Sequence, residues 1–377
     1  MSPSSKKFKK QSSSKAVKPP LEDNDPSLPS FSSLPDEIVL DCLQRVPRSY
    51  YLNLCRVSKT LRSLVRSPEL SRLRSLLPKK SVYVSFSENN APHTIYRWFT
   101  LKKTTMKTAM QTFGYKLVKI PIPFPSHHHM YNSSAVAVGS EIYLVGGSFN
   151  PLSDLWILDT RTGMFTQGPS MRVARTDEAS VGVINGKIYV IGGCEDKRQA
   201  EVFDPKSRNW KTAKNPEEKS QRGLMTRLSA VSLDWKVYTV EVGRIGVYDP
   251  REGKRKETLK IPSDIVWCMC VVNDVLYACY FQQGLMGFDV NRKVWVKVVG
   301  LKTLNVKFDV SVMAEYDGKL AILWSEIDDM KTKKEIWCSV IALDWIGEGI
   351  RGTIEWSGIV ATKPDYYEFH NCLVVSD

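Results

Sequence analysis

The residues able to do covalent or metal chemistry are few in this chain, and their spacing argues against such chemistry. Eight cysteines (Cys42, Cys55, Cys194, Cys268, Cys270, Cys279, Cys338 and Cys372) and five histidines are scattered over 377 residues. A structural zinc site is expected to show a CxxC pair, and there is none. Cys268 and Cys270 are separated by one residue, follow the alternation of a strand, and read as packing. His127, His128 and His129 form the one histidine cluster, in a Pro-rich link without a nearby Cys or carboxylate, and His93 and His370 stand apart. Gly146-Gly147 and Gly192-Gly193 lack the following Lys-Ser or Lys-Thr of a phosphate loop, and no G-x-S-x-G elbow occurs. Asn132-Ser133-Ser134 fits a glycosylation pattern, idle in a chain without a secretory signal. No catalytic residue, cofactor site or metal ligand is expected.

The chemistry that remains is recognition, and the composition suits it. With 42% hydrophobic and 25% charged residues the chain is an ordinary globular sequence, long enough for two domains. Residues 1–30 stand apart as a Ser-, Lys- and Pro-rich basic tail expected to be disordered. No apolar signal core or membrane span is seen, so the expected location is nucleus and/or cytoplasm, with reduced cysteines and no membrane partner. A net charge of +13 invites a nucleic-acid reading, but the charge is spread. Only Lys6, Lys7, Lys9, Lys10, Lys15 and Lys18 form a block free of acids, as a nuclear-import address or a solvated tail would. Nucleic acid is not the expected partner.

Residues 31–77 read as short helices. Pro35 suits a first helical position, Asp36 and Glu37 the positive end of a helix dipole. Ile38, Val39, Cys42, Leu43 and Val46 recur on one side, and Pro47 stops the run. Two further segments follow, each opened by a capping Ser (Ser49, Ser58), then a short one from Pro68. So small a unit buries too little surface to stand alone, so a partner is expected. The stripe by itself would equally serve as the core of a small bundle. The segment "LPDEIVLDCLQRVPRSYYLNLCRVSKTLRSLVRSPEL" resembles an F-box of the plant F-box/kelch type. That resemblance implies that Leu34, Pro35, Ile38, Leu43, Val46, Pro47, Leu54 and Val57 contact the Skp-type adaptor of a cullin-RING ligase. Leu61 departs from it, standing where the family often carries an aromatic.

From 78 to 377 the pattern becomes all-β. Repeats align Tyr143, Tyr189, Tyr238, Tyr277 and Leu320, with steps of 46, 49, 39 and 43 residues, near the length of a propeller blade. Asp159, Asp204 and Asp289 each stand six residues before Phe165, Trp210 and Trp295. An Asp can close its own turn, and the returning aromatic can pack between blades. The diglycines resemble those of kelch repeats, strongly in two units and weakly in the rest. Segments between Ser81 and Pro123 supply three strands of a first blade, and the C-terminal "NCLVVSD" its missing innermost strand. The expected fold is therefore mixed: a small all-α F-box followed by an all-β kelch-type propeller of six blades, closed by the C-terminal strand.

The resemblance implies a substrate-recognition subunit of an SCF ubiquitin ligase, non-catalytic and a monomer within a hetero-complex. Its F-box would bind a Skp-type adaptor and through it a cullin, and its propeller a target protein. The alternatives are a kelch scaffold or nucleic-acid-associated protein outside any ligase, and a kelch-type oxidase or isomerase. Antiparallel strands alternate direction, so loops joining second to third strands and outer strands to the next blade share one face. Those loops are long, which makes Arg172, Arg175, Arg198, Arg222, Arg227 and Arg244 candidate contacts for acidic or phosphorylated partners. Solvated loop charge is the competing reading.

Overall fold

A computed structural model describes residues 34–45, 54, 57–65, 67–75, 80–88, 95–105, 113–120, 134–147, 151–160, 162–176, 178–195, 199–214, 230–241, 244–252, 259–260, 265–302, 304, 311–327 and 332–376. Three helices lead: α1 (Asp36–Arg45), α2 (Lys59–Val65) and α3 (Pro68–Ser75). Each starts where the sequence supplies a cap. The Pro35 carbonyl accepts from the backbone N–H groups of Ile38 and Val39 at 3.0 and 3.1 Å. Ser58 Oγ accepts from the Leu61 N–H at 3.0 Å, and Ser67 Oγ from the Leu70 N–H at 3.1 Å, satisfying donors that have no intrahelical partner. Val39, Leu40, Leu43, Leu61, Leu64 and Leu70 form the small core of this module. The expected helical stripe divides: Val39 and Leu43 face inward, whereas Ile38 and Cys42, one helical turn apart, are exposed. Of the segment expected to open at Ser49, only Leu54 and Val57 lie within the described residues, and both are helical.

The rest is propeller-like. A first sheet holds β1 (Lys80–Glu88), β2 (Ile95–Thr105) and β3 (Phe113–Lys119), with β24 (Tyr367–Ser376) paired antiparallel on the free side of β1. The second holds β4 (Ser134–Val138), β5 (Glu141–Val145), β6 (Leu155–Asp159) and β7 (Phe165–Gln167). The third holds β8 (Ser180–Ile184), β9 (Lys187–Ile191), β10 (Ala200–Asp204) and β11 (Asn209–Thr212). The fourth holds β12 (Ala230–Leu233), β13 (Lys236–Glu241), β14 (Arg244–Tyr248) and β15 (Leu259–Lys260).

An eight-stranded sheet completes the arrangement. One half is β16 (Val266–Val272), β17 (Val275–Tyr280), β18 (Gly284–Asp289) and β19 (Val294–Val299). The other is β20 (Ser311–Tyr316), β21 (Lys319–Ile327), β22 (Lys333–Ile346) and β23 (Gly349–Pro364). The halves are joined edge to edge by a parallel contact, Val298 with Ile350 and Val299 with Arg351. The joint is tight: a Cβ on Gly300, at φ +92°, would lie 2.6 Å from the Gly352 carbonyl oxygen. Hydrogen bonding thus gives five sheets where six blades were expected, and six units appear only if the two halves are counted apart. The long β22–β23 ribbon causes the difference, because it runs past β21 and lies against β19.

The aligned Tyr143, Tyr189, Tyr238, Tyr277 and Leu320 fall in β5, β9, β13, β17 and β21, the second strand of each unit. Units meet through alternating apolar faces. Val145, Leu155 and Ile157 of the second sheet pack with Val181, Ile188, Phe203 and Trp210 of the third. The Trp210 indole also donates to the Pro169 carbonyl at 2.8 Å. Asp204 and Asp289 close their turns by accepting from the backbone N–H groups of Lys206 and Asn291 at 3.0 and 2.9 Å.

Tight turns with two positive φ values join first to second strands at Asn185-Gly186, Asp234-Trp235, Asn273-Asp274 and Asp317-Gly318. Trp235 is the misfit, at φ 63° where glycine is preferred, and 49% exposed. Trp235→Gly is expected to raise stability by about 1 kcal/mol, because a left-handed backbone costs a side-chain-bearing residue roughly that much. A urea midpoint that falls instead would mean that packing of the indole near the Arg251 guanidinium, 6.0 Å from the ring centroid, outweighs the strain.

Candidate functional site

Two surfaces emerge, one on the helices and one on the propeller. On the helices, Leu34 (38% exposed), Ile38 (51%) and Val57 (73%) stand open to solvent, with Pro35 beside them. Among the described residues none of the three belongs to the helical core, which leaves apolar side chains on this module open to a partner. Leu43, expected in the same contact set, is 2% exposed and belongs to the helical core, with Leu54 packed against it. It points inward because it sits one turn after Val39, not after Ile38. Val46 and Pro47 lie outside the described residues.

On the propeller, topology decides which face is free. Ser376, ending β24, donates its N–H to the Gly139 carbonyl in the β4–β5 turn at 3.1 Å, and its partner across the sheet is Lys80, the first residue of β1. Lys80 Nζ also meets Glu315 Oε2 at 2.7 Å, next to the Asp317-Gly318 turn. The propeller therefore begins, at Lys80, on the tight-turn face. The opposite face carries the longer connections.

Arg175 was expected among the partner-contacting arginines of that face, and the structure corrects this. Its side chain is fully buried. One guanidinium nitrogen, Nη2, lies 3.0 Å from Glu201 Oε2, and the other, Nη1, donates to the carbonyls of Gly192 and, at 3.1 Å, Gln199. Its own carbonyl accepts from Gly147 and Leu152 N–H at 3.0 Å each. Glu201 is further held by the N–H groups of Arg172 and Val173 at 3.0 and 3.3 Å. One residue thus ties the 146–152 loop of the second sheet to the 192–199 loop of the third. Gly193 completes the fit: at φ +69°, a Cβ there would lie 2.5 Å from the Ala179 backbone nitrogen. The burial went unseen because the partners are main-chain carbonyls and a single carboxylate, which leave no pattern around "SMRVARTDE".

Arg172 is exposed, its Nη1 3.4 Å from Thr212 Oγ1. Arg244 opens β14, paired with Glu241 and Lys260. Arg198, Arg222 and Arg227 lie outside the described residues.

Among the described residues no group of three or more His, Cys, Asp or Glu could hold a metal ion. Cys268 and Cys270 are buried between the two halves of the eight-stranded sheet with Cys279, and burial pushes the Cys270 thiol well up. Cys338 is buried between the last half-sheet and the first sheet, and its thiol is raised for the same reason. Neutral thiols of this kind pack and do not attack. His370 lies tilted against Tyr96 with ring centroids 4.7 Å apart, and the other histidines lie outside the described residues. No described helix is long and apolar enough to cross a membrane.

Residues 31–73 match the family model described as F-box domain, and residues 98–361 that described as FKB95, Kelch-repeats domain. The chain is 88% identical over 255 residues to F-box/kelch-repeat protein At2g22050 of Arabidopsis thaliana, covering 67% of this chain and 98% of that relative. It is 47% identical over 375 residues to Putative F-box/kelch-repeat protein At2g41360 of the same plant, covering 92% and 98%. F-box/kelch-repeat protein At2g44630, also from Arabidopsis thaliana, is 40% identical over 377 residues, covering 96% and 100%.

Proposed function

The chain belongs to the F-box/kelch-repeat proteins, the general architecture of SCF substrate adaptors, and on that premise we propose that it is the substrate-recognition subunit of such a ubiquitin ligase. The F-box binds a Skp-type adaptor, and through it a cullin, by the α1 surface around Leu34, Pro35 and Ile38. The propeller binds a target protein on its long-loop face. No catalytic residue is required of this chain. Holding the target beside a charged ubiquitin-conjugating enzyme raises the effective concentration of a target lysine, and that is the whole of the catalysis it supplies.

The observation that carries this reading is the division of α1. The same helix buries Val39, Leu40 and Leu43 and leaves Ile38 open, so the module folds and still keeps apolar surface for a partner. Residence in nucleus and/or cytoplasm is part of the proposal and rests on the basic tail. The test is affinity purification of the full chain from plant cells under proteasome inhibition. An adaptor of the Skp type and a cullin are expected to co-elute in stoichiometric amounts. Their absence from a folded, soluble preparation overturns the proposal.

A further inference from the structure

Three lysines from three strands converge at the long-loop end of the first sheet and the last half-sheet. Lys119 ends β3, Lys334 is the second residue of β22, and Lys363 stands one before the end of β23. Lys334 and Lys363 are direct partners across the β22–β23 ladder, and Lys119 is the partner of Phe99 across β2–β3. Lys363 Nζ lies 4.0 Å over the Phe99 ring and 5.8 Å from the Tyr367 ring, while Lys334 Nζ donates to the Tyr367 carbonyl at 3.0 Å.

Like charges placed directly opposite each other are unfavourable, and among the described residues no ion pair relieves them. Among the described residues none of the three makes an ion pair, while lysines elsewhere do: Lys80 with Glu315, Lys187 with Asp204, Lys319 with Glu355. Glu88, which faces Tyr367 from β1, is committed to Arg97 at 3.0 Å. Burial holds the Lys363 amine below its ordinary range, and the charge that pushes it further down is another lysine, Lys119. The aromatic floor of Phe99 and Tyr367 keeps the site partly dry, which strengthens charge-assisted hydrogen bonds made there.

We infer that this cluster is a phosphoryl-binding subsite, where the propeller holds a phosphorylated serine or threonine of its target. The inference rests on the substrate-adaptor reading and adds the class of target to it. The charge count favours phosphate over carboxylate. A phosphomonoester brings about −1.5 to −2 charges and three acceptor oxygens, enough for two or three ammonium groups, whereas a carboxylate leaves most of the repulsion in place.

The experiment uses the full chain in complex with its Skp-type adaptor. Three peptide libraries with random flanks and a central phosphoserine, serine or glutamate are compared by fluorescence anisotropy, beside a single-stranded oligonucleotide. The phosphoserine library is expected to bind at least about tenfold more tightly than the serine library, as loss of charge-assisted hydrogen bonds would give. Lys119→Gln with Lys363→Gln is expected to abolish that preference, and Lys363→Arg to keep most of it. A preference that survives the double substitution overturns the subsite. Glutamate peptides bound as well as phosphoserine, or the oligonucleotide bound more tightly with the same lysine dependence, overturn the assignment to a phosphorylated protein. Should the double variant melt early, the wild-type complex decides: inorganic phosphate must slow acylation of Lys119 and Lys363, and unchanged labelling refutes the site. Adaptor retention is scored in the same samples. Its loss speaks against the ligase reading, while a missing phosphate preference with adaptor bound speaks only against the subsite.

Discussion

Ile38→Asp is expected to weaken binding of the Skp-type adaptor by at least about 30-fold, the equivalent of a hot spot of roughly 2 kcal/mol, without unfolding the helices. Ile38 is 51% exposed, so a carboxylate there costs little in the free protein. In a dry interface the same carboxylate would be buried without a partner. Leu43→Ala supplies the contrast. Leu43 is 2% exposed in the core of the module, and a cavity there costs about 2–5 kcal/mol of folding stability. Its loss of adaptor should therefore track loss of helicity. Adaptor affinity within twofold of the parent, with Ile38→Asp still helical by circular dichroism, would remove α1 from the interface.

Arg175→Ala is expected to destabilise the propeller by about 3–5 kcal/mol, because it leaves the buried Glu201 carboxylate without its cation. Were Arg175 only a loop charge, the same change would fall within about 0.5 kcal/mol of neutral. Changing both partners, Arg175→Met with Glu201→Gln, should recover part of the loss, since an unpaired buried charge costs more than the absence of the pair. Denaturant midpoints of these two variants, set against the parent, decide the matter. Midpoints unchanged in Arg175→Ala would show that the clamp contributes nothing to folding. A further expected result is that Arg175→Glu, unlike a loop charge reversal, fails to give soluble protein at all.

What could be read from the sequence follows from how local its causes are. Ser58 caps a helix three residues away, Asp204 and Asp289 close turns within two residues, and Asn185-Gly186 needs no distant partner, so each was legible. The aligned second strands and the closing role of β24 were legible because they repeat a pattern or fill a gap in one. The failures are all long-range. Ile38 and Leu43 are both apolar at helical spacing, and only the position of α2 and α3 tells which of them is covered. Arg175 looks like any loop arginine until residues 192–201 fold around it. Nothing near Val298 indicates that a ribbon from residue 350 will dock on it, and Lys119 and Lys363 lie far apart in the chain.

The placement of β24 on β1 has a consequence for how the protein is made. A ribosome delivers Lys80–Glu88 long before Tyr367–Ser376, so nearly the whole propeller must emerge before that edge of β1 finds its partner. At the usual 5–20 residues per second the wait is roughly 15–60 s. During that time Val82, Val84 and Phe86, which end fully buried, belong to a sheet with one side of its backbone hydrogen bonds unmade. A nascent chain in this condition is a client for chaperones, and a message truncated before Tyr367 yields a ring that never shuts. Fusion partners placed at the C-terminus inherit the same geometry, since they follow a strand that must still slide in beside the first one.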